Sequence, residues 1–89
     1  MTIKPFYMPQ RVLNEDWSEY DNRKIRDGRD RAFFSCEESW EVEFLVRQIR
    51  KHKPMKSDAE VKSAIAYCCR FIPGNKPRKA FVECVMDRL

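Results

Sequence analysis

The sequence predicts an all-α, mainly helical fold. It is a small three-helix bundle over about 36–52, 58–72 and 77–89, with an extended or partly helical N-terminal segment packed on it. Three observations lead there. Apolar residues recur every three to four positions through the last 55 residues, which is the signature of an amphipathic helix. Start signals precede the stripes: Ser35 with Glu38, Ser57 with Glu60, and Pro77. Pro54 and the pair Pro73-Gly74 interrupt the pattern where helices should stop.

The first expected helix opens at the Ser35–Glu38 spacing of a capping box, which satisfies two otherwise orphan backbone donors. Val42, Leu45, Val46 and Ile49 follow on one face, flanked by Trp40 and Phe44. Glu37, Glu38, Glu41 and Glu43 fill its first half and Arg47, Arg50 and Lys51 its second, an order that complements the helix dipole. On this pattern the four glutamates lie on a solvated polar face. Pro54 disfavours helix at Lys53, so the element ends near His52.

The second helix repeats the grammar with Ser57 and Glu60. Its stripe is Val61, Ile65, Cys68 and Ile72, with Ala64 and Phe71 beside it. The third starts at Pro77 and buries Phe81, Cys84, Val85 and Leu89, with Val82 and Met86 alongside. Connections of about five residues favour antiparallel neighbours.

Residues 1–34 read as a segment distinct from the 35–89 bundle. Pro5 and Pro9 argue for an extended chain over 1–13. Asn14 is placed to cap a short helix carrying Leu13, Trp17 and Tyr20 on one face. That pattern fades after Tyr20 and Gly28 ends it, while Arg23–Arg31, nearly all charged, reads as a solvated connector. Fewer than 60 residues make a thin core, so the N-terminal aromatics are expected to cover the bundle.

Composition excludes more than it identifies. The 89 residues carry 18 Lys plus Arg against 14 Asp plus Glu, a net charge of +4. Both signs are spread along the chain, so there is no strongly basic tail. The longest apolar runs fall far short of the roughly 20 residues of a membrane span. No stretch in the first 30 residues resembles a signal peptide, which points to a cytoplasmic protein. Cys36, Cys68, Cys69 and Cys84 are then read as reduced thiols in or beside the core, because adjacent cysteines are poorly placed to staple distant segments.

The same residues leave little room for catalysis. His52 is the single histidine, it stands among Arg50, Lys51 and Lys53, and no Cys-x-x-Cys or His-x-x-x-His spacing exists. Neither a metal site nor a cofactor is therefore expected. Cys36 in a helical first turn is the best thiolate candidate, but Glu37 and Glu38 oppose its ionisation. With only Gly28 and Gly74, no glycine-rich phosphate loop can form.

Two functional readings remain. The first is a small non-enzymatic helical domain acting through protein contact, with another protein or a second copy as partner. Phe6, Tyr7 and Met8 are its candidate docking residues. The second is a nucleic-acid or phosphate-binding accessory protein. Lys76, Arg78 and Lys79 place positive charge at a helix N-terminus against the dipole, and Arg47, Arg50, Lys51, Lys53 and Lys56 form an acid-free run. A thiol-dependent redox or transfer enzyme ranks third.

Overall fold

The computed structural model describes residues 8–89, Met8 by its backbone alone. It contains five helices and one two-stranded ladder: α1 (Met8–Leu13), α2 (Ser18–Arg26), β1 (Phe33–Phe34), α3 (Ser39–Arg50), α4 (Asp58–Phe71), β2 (Lys76–Pro77) and α5 (Arg78–Arg88). The three C-terminal helices fall within the ranges predicted for them. The N-terminal third holds more helix than predicted.

Residues 8–13 are helical where an extended chain was expected. Pro9 occupies the first turn, where its missing N–H has no intrahelical partner to lose. Asn14 closes this helix instead of opening the next: its N–H donates to the Gln10 carbonyl at 2.9 Å. The indole Nε1 of Trp17 then donates to the Val12 carbonyl at 3.0 Å and locks the corner into α2. That helix runs to Arg26, beyond the point where the apolar pattern fades. Gly28 at φ +69° ends it in a Schellman turn, with Arg29 N–H on the Lys24 carbonyl at 2.8 Å and Gly28 N–H on Ile25 at 3.1 Å.

The ladder pairs β1 and β2 antiparallel, Phe33 opposite Pro77 and Phe34 opposite Lys76. It places the start of α5 beside the start of the α3 arm. The Arg78 N–H continues the pairing onto the Ala32 carbonyl at 2.8 Å, and Phe34 stacks on Phe81 with centroids 4.5 Å apart.

Helix α3 starts later than its sequence signal suggests. Ser35 and Glu38 form no capping box, and Glu38 itself is the N-cap residue. The Ser35 N–H is taken by the Glu41 carboxylate at 3.0 Å, so the chain over 35–38 stays non-helical. The second box forms as read: Glu60 N–H donates to Ser57 Oγ and Ser57 N–H to Glu60 Oε1, each at 3.1 Å. The bond from Ser57 N–H lowers the Glu60 pKa.

One continuous core joins all the helices. Leu45 and Ile49 of α3, Val61 and Ile65 of α4, and Phe81 and Val85 of α5 are all buried. Val12, Trp17 and Tyr20 from the N-terminal third join them in the same core.

The cysteines are paired, not reduced. Cys36 is bonded to Cys69 and Cys68 to Cys84, with Cα–Cα distances of 6.2 and 6.1 Å. Adjacency does not prevent stapling, because consecutive helical residues point about 100° apart. Cys68 therefore reaches α5 on one flank of α4, while Cys69 reaches the arm before α3 on the other. The bridges span 33 and 16 residues of sequence. On the chain-entropy account each stabilises the fold by about 3–4 kcal/mol. Replacing Cys36 and Cys69 together by Ser should lower stability to urea by roughly that amount. Non-reducing peptide mapping should recover the 36–69 and 68–84 linkages.

Candidate interaction surface

Three places concentrate polar or exposed chemistry. The first is a buried cluster around Glu41, a residue expected on the solvated face of α3. It is completely buried. Its Oε1 accepts from the Tyr20 hydroxyl at 2.7 Å and from the Ser35 N–H at 3.0 Å. Its Oε2 accepts from Lys24 Nζ at 2.9 Å, and that ammonium also donates to the Phe33 carbonyl at 2.9 Å. Lys24, placed by sequence in a solvated connector, is 2% exposed. Every group in this cluster has a partner inside the protein. Among the described residues no buried side-chain polar atom lacks one. The cluster binds α2, α3 and the chain between β1 and α3 to one another.

The second place is an open cleft of about 410 Å³ beside the ladder, reached by Lys24, Arg29, Asp30, Glu37 and Lys76. Both signs of charge line it, and most are engaged. Arg29 pairs with Glu38 at 2.7 Å, and the Asp30 carboxylate accepts from Ala32 N–H at 2.9 Å. Lys76 Nζ donates to the Gly74 carbonyl at 2.9 Å. The cleft therefore selects no single ligand charge.

The third place is the flank shared by α4 and α5. Phe71, expected beside the buried stripe, is 67% exposed. It stacks on Tyr67 one turn earlier, with centroids 6.0 Å apart and planes 14° apart. The Arg88 guanidinium lies 3.8 Å over the Tyr67 ring. These rings line a groove of about 390 Å³ together with Ile72, Ala80, Glu83, Cys84, Asp87 and Arg88. Elsewhere the large exposed apolar residues, Ile25 and Met55, stand singly, which is ordinary for a protein surface.

The basic residues singled out by sequence are dispersed and mostly occupied. Arg78 opens α5 against the dipole, but Asp21 holds it at 2.8 Å and its guanidinium lies 4.6 Å over Trp17. Both contacts lie within the chain. Lys76 sits in β2, and Lys79 is exposed. Arg50 bridges Asp58 at 3.0 Å and the Lys56 carbonyl at 2.8 Å. Arg47 approaches Glu19, Lys51 approaches Glu15 and Lys56 approaches Glu60, each at 3.9 Å. Lys53 is half-buried at the turn after α3. His52, expected in the open, is half-buried with Nε2 2.6 Å from Glu15. The two basic groups flank opposite ends of α4, whose 14 residues span about 21 Å. Phe6 and Tyr7 lie outside the described residues, as does the side chain of Met8.

Among the described residues no group of three or more His, Cys, Asp or Glu is arranged to hold a metal ion, and no helix is long and apolar enough to cross a membrane. No family model matches the chain, and neither a curated protein nor a solved structure matches it.

The buried cluster carries a pH signature. Burial first, and then the hydrogen bond donated to Glu41, raise the Tyr20 pKa. An unfolded tyrosine ionises near pH ~10. Its neutral form is favoured in the fold, so this contribution is complete below pH ~10 and is lost as pH rises beyond it. Urea unfolding between pH ~8 and ~11 should show wild type losing stability more steeply than Tyr20→Phe. The Tyr20 phenolate absorbance should appear only as the protein unfolds. A Tyr20 that ionises in the intact fold would contradict the buried hydrogen bond.

Proposed function

We propose that this chain is a disulfide-stapled helical domain that works by contact with protein, through the flank shared by α4 and α5. In this reading α3, α4 and α5 act as a three-helix unit and the N-terminal helices brace it. One observation carries the reading: Phe71 and Tyr67 stand stacked and exposed at the edge of an apolar groove. Leaving such rings in water forgoes burial worth about 1.5–3 kcal/mol for a Phe side chain. Exposed apolar patches beside polar rims are typical of interaction sites.

Protein contact is favoured over phosphate binding by the engagement of the cations. Arg78, Arg50 and Lys24 are held by carboxylates at 2.8–3.0 Å. It is favoured over catalysis because the buried Glu41 and Lys24 satisfy each other and open onto no pocket of one charge. The two disulfides support an oxidising compartment in place of the cytoplasmic setting expected from the sequence.

The test is site-specific photo-crosslinking in the cells that make the protein. A photoreactive residue replacing Phe71 should yield protein adducts several-fold more abundant than one replacing Asn22, which is exposed on α2. Equal yields at the two positions, or none at Phe71, would remove the α4–α5 flank as the working surface.

A further inference from the structure

We infer that the open cleft beside the β1–β2 ladder binds a small zwitterion, its carboxylate on Lys76 and its cationic group beside Asp30 and Glu37. The cleft shares no residue with the α4–α5 groove, so this site stands apart from the contact reading above.

Among the described residues two lysines are buried, and both line the cleft. Lys24 is compensated, because the Glu41 carboxylate holds its ammonium at 2.9 Å. Lys76 is only 9% exposed, yet no carboxylate of the described residues lies within 4.0 Å of its Nζ. It donates to the Gly74 carbonyl at 2.9 Å, which occupies one of the three donors of an ammonium. Residues 1–7 hold no Asp or Glu, so they have no carboxylate side chain to supply the counter-charge. A buried charge is ordinarily paired, because an opposite charge nearby offsets its lost hydration. Lys76 is also held in place. Strand β2 sets it opposite Phe34, and Gly74, at φ +70°, turns the chain so that its carbonyl meets Nζ. A carboxylate arriving from the cleft finds that ammonium already positioned.

The acids of the cleft are the converse. Asp30 accepts from the Ala32 N–H and Glu37 from Ser35 Oγ, each through one oxygen. Both are exposed, and neither has a cation within 4.0 Å among the described residues. Each therefore keeps an oxygen for a ligand's ammonium. The same two charges repel a ligand of high negative charge, which disfavours phosphate. A molecule with one charge of each sign satisfies both ends of the cleft. The volume of about 410 Å³ lies within the range of small-molecule sites.

The test is amide NMR titration of the full oxidised chain at constant ionic strength. The probes are β-alanine, propionate (the same skeleton without the ammonium) and inorganic phosphate. β-Alanine should give saturable shifts confined to Ser35, Gly74, Asn75, Lys76 and their neighbours. An open cleft and a ligand this small imply a dissociation constant on the order of 1 mM. Propionate should bind several-fold more weakly, and phosphate should give no saturable shift. Lys76→Gln, which keeps a donor for Gly74, should weaken both organic probes at least about five-fold. Asp30→Asn with Glu37→Gln should bring β-alanine down to the level of propionate. Lys79→Gln, outside the cleft, should change neither. Absence of saturable shifts overturns the proposal, as does propionate matching β-alanine, phosphate outcompeting it, or wild-type binding by a folded Lys76→Gln chain. Should that variant not fold, the wild-type comparison of β-alanine with propionate decides alone. The crosslinking yield at position 71 is independent of every one of these outcomes, so either reading can fail without the other.

Discussion

The structure depends on one buried carboxylate. Glu41 is fully enclosed and receives three donors, from the Tyr20 hydroxyl, the Lys24 ammonium and the Ser35 backbone. These come from α2 and from the arm between β1 and α3. Through them α3 fixes where α2 lies and where the chain leaves β1. Lys24 also holds the Phe33 carbonyl, so the same cation that neutralises Glu41 sets the strand that pairs with β2. That pairing in turn positions Arg78 and the first turn of α5. Taking a carboxylate out of water costs several kcal/mol, and only a cation with further hydrogen bonds offsets it. An apolar substitute for the pair could match its stability. It would not choose among registers as hydrogen bonds of fixed direction do, which is the role we assign to the cluster.

Around that anchor the core is small, and the disulfides compensate. Domains of this size bury a modest fraction of their surface. The two bridges meet on consecutive residues of α4 and leave it on different sides, one to α5 and one to the arm ahead of α3. Helix α4 is consequently held on two flanks by covalent bonds and on its inner face by Val61, Ile65 and Cys68. Lys62 adds an ion pair to Glu43 of α3 at 2.7 Å, but it is exposed and contributes little beyond orientation.

What the sequence reveals divides along a physical line. Apolar periodicity and caps that act within one turn are readable, so α3, α4 and α5 appear where their stripes predict, and the Ser57–Glu60 box forms as written. Interactions between segments are not readable. Glu41 looks like its neighbours Glu37, Glu38 and Glu43, because one letter does not say that Lys24 will arrive opposite it from 17 residues away. The failed Ser35–Glu38 box has the same origin: a distant tertiary demand on the Ser35 N–H outcompetes the local one. The cysteine pairing was hidden because adjacency in sequence is divergence in a helix. Arg78 likewise has partners that lie far away in the chain, Asp21 and Trp17. The exposed flank of α4 is written in its own spacing: Tyr67 lies about 120° and Phe71 about 80° around the helix from Val61, outside the stripe that Val61, Ile65 and Cys68 define.

That offset matters for how the surface should be understood. A ring at the margin of a buried stripe is covered if a neighbouring helix lies close on that side. Here α5 approaches α4 closely enough for Cys68 to reach Cys84, yet the apolar positions of α5 turn toward Phe34 and the inner core. The residues of α5 that line the groove with Tyr67 and Phe71 are the small Ala80, Cys84 and the charged Glu83, Asp87 and Arg88. The recess exists because Ala80 does not fill it, and Arg88 covers one face of Tyr67 while leaving Phe71 open. Phe71 therefore stays uncovered because α5 offers no large apolar side chain on the side of α4 where the ring stands.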